Sequence, residues 1–343
     1  MRFPWANTAL LILLAIQLVS GLIGFVNGFA TRAWVLWLHG VGAYALVLLL
    51  FWKGGVIWET MRRRKTWTRS RIGFLFLLIL LLITLLLGLV WSLYGPQYLF
   101  GFSFLSLHIY LAIPLMILLA VHAWRMRWIW RLPDSRDRRT FLRTGLVGIT
   151  GAAFWWLSGR VATATPLTND EQRFTGSYET GSFTGRFPVT SWIADNPAPV
   201  QPEGWQLTVA GAVAKTAQLS YAQVLELADT QIEATLDCTG GFYTTQLWRG
   251  IPLDNLLNQA GIKDRARSVS VLSITGYQRR FTIPHARQLL LATHVAGEPL
   301  THGHGFPLRL VVPTGRGYTW VKWVTRLQVH TTSAIWQPPL PLQ

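Results

Sequence analysis

The stretch Gly73–Val90, GFLFLLILLLITLLLGLV, decides the fold of the first half of this 343-residue chain. It carries no charge, and its length is close to the roughly 20 apolar residues that a bilayer crossing needs. It lies within the third of four long apolar runs, which cover 5–28, 33–57, 72–95 and 104–124. A shorter fifth run follows at Thr144–Ser158. The sequence therefore predicts an all-α transmembrane bundle of four helices plus a fifth anchor or signal helix.

The positive charge of the chain is concentrated in this apolar half. The chain has 31 Lys and Arg against 15 Asp and Glu, a net charge of +16. Residues 1–160 hold 17 of the basic residues and three acids, or +14, which leaves +2 for 161–343. The basic residues after the second and fourth runs are Arg62, Arg63, Arg64, Lys65, Arg69 and Arg71, and then Arg125, Arg127, Arg131, Arg136, Arg138, Arg139 and Arg143. The opposite loops offer Arg32 alone.

This asymmetry predicts the topology, because basic loops stay in the cytoplasm. We expect a multi-pass protein of a bacterial inner membrane, with the N-terminus in the cytoplasm and the residues after about 160 on the periplasmic side. Membrane lipid is therefore an expected partner of the helical half. Nucleic acid is not an expected partner, since the outer half is nearly neutral. A single Cys excludes a disulfide framework and a zinc or iron–sulfur site built from cysteines.

An export signal is expected where the two halves meet. Asp137-Arg138-Arg139-Thr140-Phe141-Leu142-Arg143 resembles the twin-arginine motif. The resemblance implies the twin-arginine export machinery as a partner, which carries folded, cofactor-loaded domains; an ordinary Arg-rich flank is the alternative. Ala162-Thr163-Ala164 could be a cleavage site, so the fate of the fifth helix stays open. The expected domains are 1–130 (membrane), 131–164 (signal and anchor) and 165–343 (outer domain).

Histidines in the membrane half are candidates for cofactor ligands, because ionisable residues inside transmembrane helices are costly. His39 lies about two turns into the second run and His108 about one turn into the fourth, so both sit near the outer face. Two neutral imidazoles on facing helices can supply both axial ligands of a haem. Gly40 and Gly42 would let a porphyrin approach. The pattern looks like a four-helix b-type cytochrome, which implies haem b and a quinone or quinol.

A second haem is left open by His122. It follows His108 by 14 residues, which returns it to nearly the same helix face about 21 Å deeper. The matching position after His39 is Lys53, which departs from a two-haem pattern. One haem b on His39 and His108 is therefore predicted. The alternative for each His is a hydrogen-bonded polar group between helices.

The outer half mixes short strands and helices after a polar linker at 165–200. We expect strands at Gln206–Val213, Ser268–Ile274, Phe281–Pro284, Leu308–Pro313 and Val321–Val329, and helices at Tyr221–Ala228 and Leu253–Gly261. This predicts an α+β domain, mostly β. It contains no GxGxxG, P-loop or HExxH motif.

Cys238 stands in Thr235-Leu236-Asp237-Cys238-Thr239-Gly240-Gly241, at the end of a predicted strand. A thiolate is a soft metal ligand, although a lone Cys is more often a small buried hydrophobe. An ordered set of short motifs follows it: Trp248-Arg249-Gly250-Ile251-Pro252-Leu253, Leu290-Leu291-Ala292, Gly297-Glu298-Pro299-Leu300, His304 to Pro313, and Gly317, Val321, Lys322 and Trp323. In this order and spacing the set resembles the sulfite oxidase superfamily of molybdopterin-binding oxidoreductases, over about residues 180–332.

The resemblance implies that Cys238 is catalytic, as the thiolate ligand of molybdenum in a Mo–molybdopterin cofactor. Further contacts to the pterin or its phosphate are implied for His304, Arg309, Lys322, the backbone around Trp320 and Val321, and more weakly Ser273. A buried phosphate needs local cations, and Arg can fork onto it. The structural alternatives are a strand ion pair for Arg309 and a turn residue for His304.

Two departures from sulfite oxidases affect the expected substrate. In Thr184-Gly185-Arg186-Phe187-Pro188, Arg186 takes the place of the His in their Arg-Asn-His run, and the other two residues are missing. Their immunoglobulin-like dimerisation domain is also not found before Gln343, so a monomeric catalytic domain is expected. The chain looks more like bacterial periplasmic reductases of the superfamily, one of which reduces methionine sulfoxide with a separate membrane haem subunit.

The expected function follows from these parts. Quinol would be oxidised in the membrane, and electrons would pass through haem b to molybdenum, which would take oxygen from an S-oxide or N-oxide. A sulfite-type dehydrogenase that passes electrons to quinone is the alternative with the reverse flow. A membrane-anchored, non-catalytic ligand-binding or sensor module is the alternative of another class.

Overall fold

The computed structural model describes residues 4–63, 68–125, 138–164, 171–191, 195 and 197–337. They fall into two compact units, Met1–Gly176 and Ser177–Gln343. The division comes after Gly176, whereas the sequence suggested a boundary after Ala164. Some predicted features lie outside the described residues. Among the basic residues expected in the cytoplasm these are Arg64, Lys65, Arg127, Arg131 and Arg136, and in the twin-arginine motif it is Asp137.

The first unit is helical, as expected. Its helices are α1 (Pro4–Val26), α2 (Trp34–Arg63), α3 (Arg69–Tyr94), α4 (Phe104–Arg125) and α5 (Arg138–Ala164), with a 3-10 turn at Ala30–Arg32 and a small hairpin of β1 (Tyr98–Leu99) and β2 (Phe102–Ser103). Four stretches in the described part of the chain are long and apolar enough to cross a membrane: Trp5–Val26, Ala30–Glu59, Arg71–Tyr94 and Phe104–Arg125. α5 is longer than the predicted run Thr144–Ser158 and begins at the Arg138-Arg139 pair.

A shared apolar core joins the first four helices. Each contributes one buried leucine to a single cluster, formed by Leu14, Leu46, Leu81 and Leu115. α5 packs on α2, where Gly151 allows the two backbones to approach. A Cβ on Gly151 would lie 2.8 Å from Ala45 Cβ and 2.9 Å from the Val41 carbonyl oxygen. Small residues permit such close helix contacts when little hydrophobic driving force is available.

The second unit is mostly β. Its strands are β3 (Tyr178–Glu179), β4 (Gln206–Gly211), β5 (Ala217–Ser220), β6 (Thr230–Asp237), β7 (Phe242–Pro252), β8 (Ser268–Ser273), β9 (Gln278–Thr282), β10 (Leu290–Val295), β11 (Glu298–Pro299), β12 (Arg309–Val311) and β13 (Val324–His330). Its helices are α6 (Tyr221–Glu226), α7 (Leu253–Ala260) and α8 (Ile283–Ala286), with 3-10 turns at Pro202–Gly204, His302–His304, Gly317–Thr319 and Ala334–Trp336.

Two sheets organise this unit. The first has the order β11-β10-β7-β3, with β12 on β10 and β6 on β7; the second has the order β5-β4-β13-β8-β9. The pairs β4–β13 and β3–β7 are parallel and the others are antiparallel. One apolar core that includes the fully buried Trp248, Leu207 and Leu327 packs between these elements. The mixed sheets match the predicted α+β class.

All five predicted strands differ from the structure at a boundary. The strands expected at Gln206–Val213 and Ser268–Ile274 end one or two residues early, at Gly211 and Ser273, and the other three differ more. The strand expected at Phe281–Pro284 ends at Thr282, because α8 begins at Ile283 with Pro284 in its first turn, where the missing N–H costs nothing. The strand expected from Val321 begins at Val324, since Trp323 has a φ of +51° that interrupts extended backbone. The strand expected at Leu308–Pro313 shortens to β12.

Candidate functional site

Cys238 lies immediately after β6, in a tight turn that closes on Phe242. Its N–H donates to the Phe242 carbonyl at 2.8 Å, and its sulfur accepts from the Gly240 N–H at 3.3 Å. Burial raises the pKa of the Cys238 thiol, and hydrogen bonds from Gly240 and the Thr190 side chain oppose that rise. Gly317 comes so close that a Cβ there would lie 3.0 Å from Cys238 Cα. The sulfur is therefore buried in a fixed turn with donors ready for a thiolate.

Arg309, the first residue of β12, is a buried cation beside this turn. Its Nη1 donates to the His304 carbonyl at 2.9 Å, and its guanidinium lies 5.5 Å from the ring centres of both Trp248 and Trp320. Its Nε is buried without a hydrogen-bond partner, and no carboxylate in the described part of the chain forms an ion pair with it. Burial lowers the pKa of Arg309 to about 10. The strand ion pair considered as an alternative is therefore not present among the described residues.

Lys322 supplies a second cation. Its Nζ donates to the carbonyls of Thr190 at 2.8 Å and Gly303 at 2.7 Å, and to Ser191 Oγ at 3.1 Å. Burial, followed by the charge of Arg309, lowers the pKa of Lys322 to about 7. Lys322, Arg309 and Cys238 interact electrostatically, so the structure brings these three predicted residues together.

His304 is held by the protein through both ring nitrogens. Nε2 lies 3.0 Å from the Phe187 carbonyl and Nδ1 lies 3.1 Å from Thr301 Oγ1, while the ring stacks on Phe187 at 4.0 Å. Because a carbonyl only accepts, Nε2 carries the proton. Burial lowers the pKa of His304, which favours this neutral form. Its clearest contribution is the carbonyl oxygen that orients Arg309.

Four other predicted residues make no described contact with the Cys238 sulfur. Trp320 and Val321 are buried beside the cluster, and the Val321 carbonyl accepts from Leu310 at 2.8 Å. Ser273 is buried at the end of β8, where its Oγ accepts from the Thr275 N–H at 3.3 Å within the same turn. Arg186 is exposed, although Phe187 beside it is buried. The described contacts bring neither Ser273 nor Arg186 to Cys238.

Sequence reasoning missed a buried ion pair next to the cysteine. Arg316 Nη1 lies 3.0 Å from Asp237 Oδ1, and Ser177 Oγ donates to the same oxygen at 2.8 Å. All three side chains are buried. The pair ties β6 to the turn that carries Gly317. The only signal in the sequence was that Asp237 precedes Cys238. Its pairing with Arg316 could not be predicted, because the two residues are far apart along the chain and meet only when it folds.

This cluster fits an anionic cofactor bound through a thiolate. Arg309 is buried and Lys322 is half-buried, and both donate to carbonyl or hydroxyl oxygens. Neither forms an ion pair with a carboxylate in the described part of the chain, although the charge of Asp195 acts on Lys322, so positive charge is left for an anion. Arg309 Nε is an orphaned donor. The phosphate of a pterin and a soft metal on Cys238 would satisfy these groups.

The first unit holds a separate pair of histidines. The ring centres of His39 on α2 and His108 on α4 are 6.1 Å apart, and their planes are nearly perpendicular, at 87°. His108 Nδ1 lies 2.7 Å from the Thr84 carbonyl, so Nδ1 carries the proton. Ser20 Oγ donates to the Ile16 carbonyl at 2.6 Å and therefore accepts from His39 Nδ1 at 3.0 Å. Both Nε2 lone pairs are left for another ligand.

The distance between the two ring centres matches what one haem iron between two imidazoles would require. Two metal–nitrogen bonds of about 2 Å, plus the half-widths of two imidazoles, place the ring centres about 6 Å apart. Ligand histidines usually donate their other nitrogen to a carbonyl or hydroxyl, as Thr84 and Ser20 allow here. The glycines at the rings are Gly21 and Gly88, where a Cβ would lie 3.1 Å from His39 Cε1 and 3.0 Å from His108 Nδ1.

The expectation for Gly40 and Gly42 was wrong. A Cβ on Gly40 would lie 2.6 Å from Trp155 of α5, and one on Gly42 would lie 2.3 Å from Gln17 of α1. These glycines therefore serve helix packing and not a porphyrin. At the deeper level, Lys53 donates to Asn7 Oδ1, and His122 is half-buried near the end of α4. No His lies opposite His122 at position 53, so the structure supplies no second pair there.

Comparisons with known proteins concern the second unit. Residues 194–335 match the family model described as oxidoreductase molybdopterin binding domain. The chain is 29% identical over 182 residues to inducible nitrate reductase [NADH] 2 of Glycine max, which covers 42% of this chain and 20% of that protein. It is 28% identical over 183 residues to nitrate reductase [NADH] of Petunia hybrida, with the same coverage. The chain thus spans about one fifth of the length of these relatives.

A solved structure is also similar, the sulfane dehydrogenase SoxCD from Paracoccus pantotrophus. The identity is 26%, the TM-score is 0.38, and the match covers 39% of this chain and 40% of that chain. Residues 194–335 thus match an oxidoreductase molybdopterin-binding domain, and the relatives quoted above are nitrate reductases. These matches support an enzyme and give no support to the non-catalytic binding module.

Proposed function

We propose that this molybdopterin-binding domain is coupled to a membrane haem, so that the protein transfers electrons between the quinone pool and an oxygen-atom-transfer site. The favoured direction is reductive: quinol is the electron donor, and an S-oxide, an N-oxide or a related oxo compound is the acceptor. The single observation that carries the proposal is the coexistence in one chain of the Cys238 cluster and the His39–His108 pair.

The Cys238 cluster supports the cofactor end. Cys238 would hold molybdenum, and Arg309 and Lys322 would hold the phosphate of molybdopterin. When bound, this cofactor supplies oxygen-atom transfer with two-electron redox chemistry. Trp248 and Trp320 keep water away from the Arg309 guanidinium, which strengthens its attraction for an anion. The Asp237–Arg316 pair holds the cysteine turn against Gly317.

The helical unit supports the electron-donor end. His39 and His108 would hold haem b, and this haem would supply one-electron transfer between quinol and the molybdenum cofactor. Thr84 and Ser20 fix the imidazole tautomers that leave Nε2 free for the iron. Four stretches long and apolar enough to cross a membrane support insertion into a bilayer, where quinol is dissolved.

Topology and export complete the proposal. The Arg-rich segments would stay in the cytoplasm, and the domain that contains Cys238 would be exported, already folded, by the twin-arginine machinery. The relatives add nitrate to the candidate acceptors, since they are nitrate reductases.

The test is a substrate panel on the purified full-length protein, with S-oxides, N-oxides, nitrate and sulfite. The expected result is oxidation of a reduced dye by an oxo acceptor in the wild type and loss of that activity in Cys238→Ser, because a hydroxyl is a poor ligand for a soft metal. Circular dichroism checks that the variant is folded.

Two results would change this assignment. Reduction of an oxidised dye by sulfite, without activity in the reductive direction, would favour the sulfite-type dehydrogenase. Full activity in Cys238→Ser would refute the molybdenum site.

A further inference from the structure

An apolar groove of about 780 Å³ runs along the first unit between α2 and α3. Its volume lies within the roughly 300–1,000 Å³ typical of small-molecule sites. On α2 it extends from Val47 to Arg62, and on α3 from Leu75 to Leu89. At 1.5 Å per residue this is about 21 Å, more than half of the roughly 30 Å hydrocarbon core of a bilayer. The groove is therefore long and narrow enough for an extended hydrocarbon chain.

Its lining is apolar except at one end. Of the described residues that form it, Arg62 is the one with a charge, and the others are aliphatic, aromatic or glycine. Arg62 is exposed on the last turn of α2, close to where α3 begins with Arg69 and Arg71. Trp58, one turn before Arg62, is 71% exposed. Exposed Trp and Arg at a helix end mark the level of lipid headgroups.

The middle of the groove is open because of Gly54. No heavy atom lies within 4 Å of the position that a Cβ on Gly54 would take. Gly54 lines the groove, whereas its neighbour Gly55 has equally free surroundings and does not line it. The two glycines thus offer a variant that fills the groove and a matched variant that does not.

We propose that this groove binds one anionic phospholipid, with an acyl chain along Gly54 and the phosphate on Arg62. The inference rests on membrane insertion as given in the proposed function. A guanidinium forks onto a phosphate, and basic pockets between helices at the cytoplasmic level bind anionic headgroups. A phosphate fits Arg62 better than a quinone does, since a quinone carbonyl is neutral; the other donor of the lining, the indole N–H of Trp58, lies at the same end of the groove. The bound lipid fills the gap between α2 and α3.

The test uses the full-length protein, extracted from membranes in mild detergent and analysed by native mass spectrometry and lipid extraction. The wild type should retain one phospholipid and prefer phosphatidylglycerol or cardiolipin to phosphatidylethanolamine. Gly54→Leu should lower the retained lipid at least fivefold, while Gly55→Leu should leave it unchanged. Arg62→Gln should lose the preference for anionic lipid, and Arg69→Gln, a charge at the same end that does not line the groove, should keep it.

Equal lipid retention in Gly54→Leu and Gly55→Leu would overturn the proposal, as would a quinone being the molecule that Gly54→Leu displaces. Haem absorbance and dye activity are recorded on the same samples. If the wild type showed neither haem absorbance nor dye activity, that would count against the proposed function, but it would not change the conclusion drawn from lipid retention. Recovery of the wild type in the soluble fraction would instead refute the membrane premise.

Discussion

At the scale of single residues, the partners of each buried cation separate ligand-binding groups from structural ones. Arg316 is neutralised by Asp237 at 3.0 Å, so its charge is used within the fold. Arg309 and Lys322 donate to carbonyl and hydroxyl oxygens instead. Burial lowers the pKa of Arg309 to about 10, and burial together with the charge of Arg309 lowers the pKa of Lys322 to about 7, against the opposing charges of Cys238 and Asp195. A cation held in this way is stabilised when an anion binds.

Lys322 should make cofactor binding depend on pH. Its pKa of about 7 in the folded apoprotein means that the positive charge is present below about pH 7 and is lost as the pH rises through 7. Full-length apoprotein should therefore bind molybdopterin roughly tenfold more weakly at pH 8.5 than at pH 6, measured as pterin fluorescence after release. Lys322→Arg, which stays charged, should remove most of this dependence.

The lowered pKa of Lys322 should also make the free energy of unfolding of the apoprotein depend on pH. The unfolded lysine keeps its proton up to about pH 10.5, so unfolding of the apoprotein takes up a proton between pH 7 and 10.5, and stability rises with pH in that window.

For the cofactor-binding test, equal pH dependence in the wild type and Lys322→Arg would contradict the role given to Lys322.

Some site residues could be predicted from the sequence and others could not. Cys238, Arg309 and Lys322 stand in motifs whose order resembles a known superfamily, and the structure brings them together. Arg186 stood in an aligned stretch, yet it is exposed, because Phe187 takes the buried position and packs on His304. Thr190 was missed, since its contact with Cys238 joins two distant parts of the chain.

At the scale of elements, hydrophobic run length predicted the helices well, because each run fills one helix. Prediction was weaker for strands. β7 (Phe242–Pro252) was missed because its buried Thr244 and Gln246 break the alternation of apolar and polar residues. Gln246 is satisfied inside the fold, where it donates to the Gly181 carbonyl at 2.7 Å. The burial of such polar groups depends on partners that the local sequence does not contain.

The packing of α5 on α2 predicts that this helix stays part of the mature protein. Gly151→Leu should lower the thermal midpoint, because overpacking a close helix contact costs about 1–3 kcal/mol. Gly148→Leu is the matched control: it lies one turn earlier in α5, and no heavy atom lies within 4 Å of its Cβ position. Intact-mass analysis of the wild type should find no cleavage after Ala164. A mature chain that begins after Ala164, or equal effects of the two variants, would contradict retention.

At the scale of the whole molecule, the chain combines two units with different chemistry. The helical unit carries two imidazoles whose Nδ1 atoms are hydrogen-bonded within the fold, and the β-rich unit carries a buried thiol and two cations that form no carboxylate ion pair in the described part of the chain. Neither unit alone would link a membrane-soluble donor to an oxo acceptor. The charge asymmetry, +14 for residues 1–160 against +2 for 161–343, is the sequence feature that supports the membrane topology in the proposed function.

The most direct test of this account follows haem absorbance in the purified full-length protein. Quinol should reduce a bis-histidine haem b, and addition of the oxo acceptor from the substrate panel should reoxidise it within the turnover time. In Cys238→Ser the haem should still be reduced by quinol but should stay reduced after the acceptor is added. Absence of a haem band in the wild type, or equal reoxidation in Cys238→Ser, would contradict electron transfer through the haem to the Cys238 site.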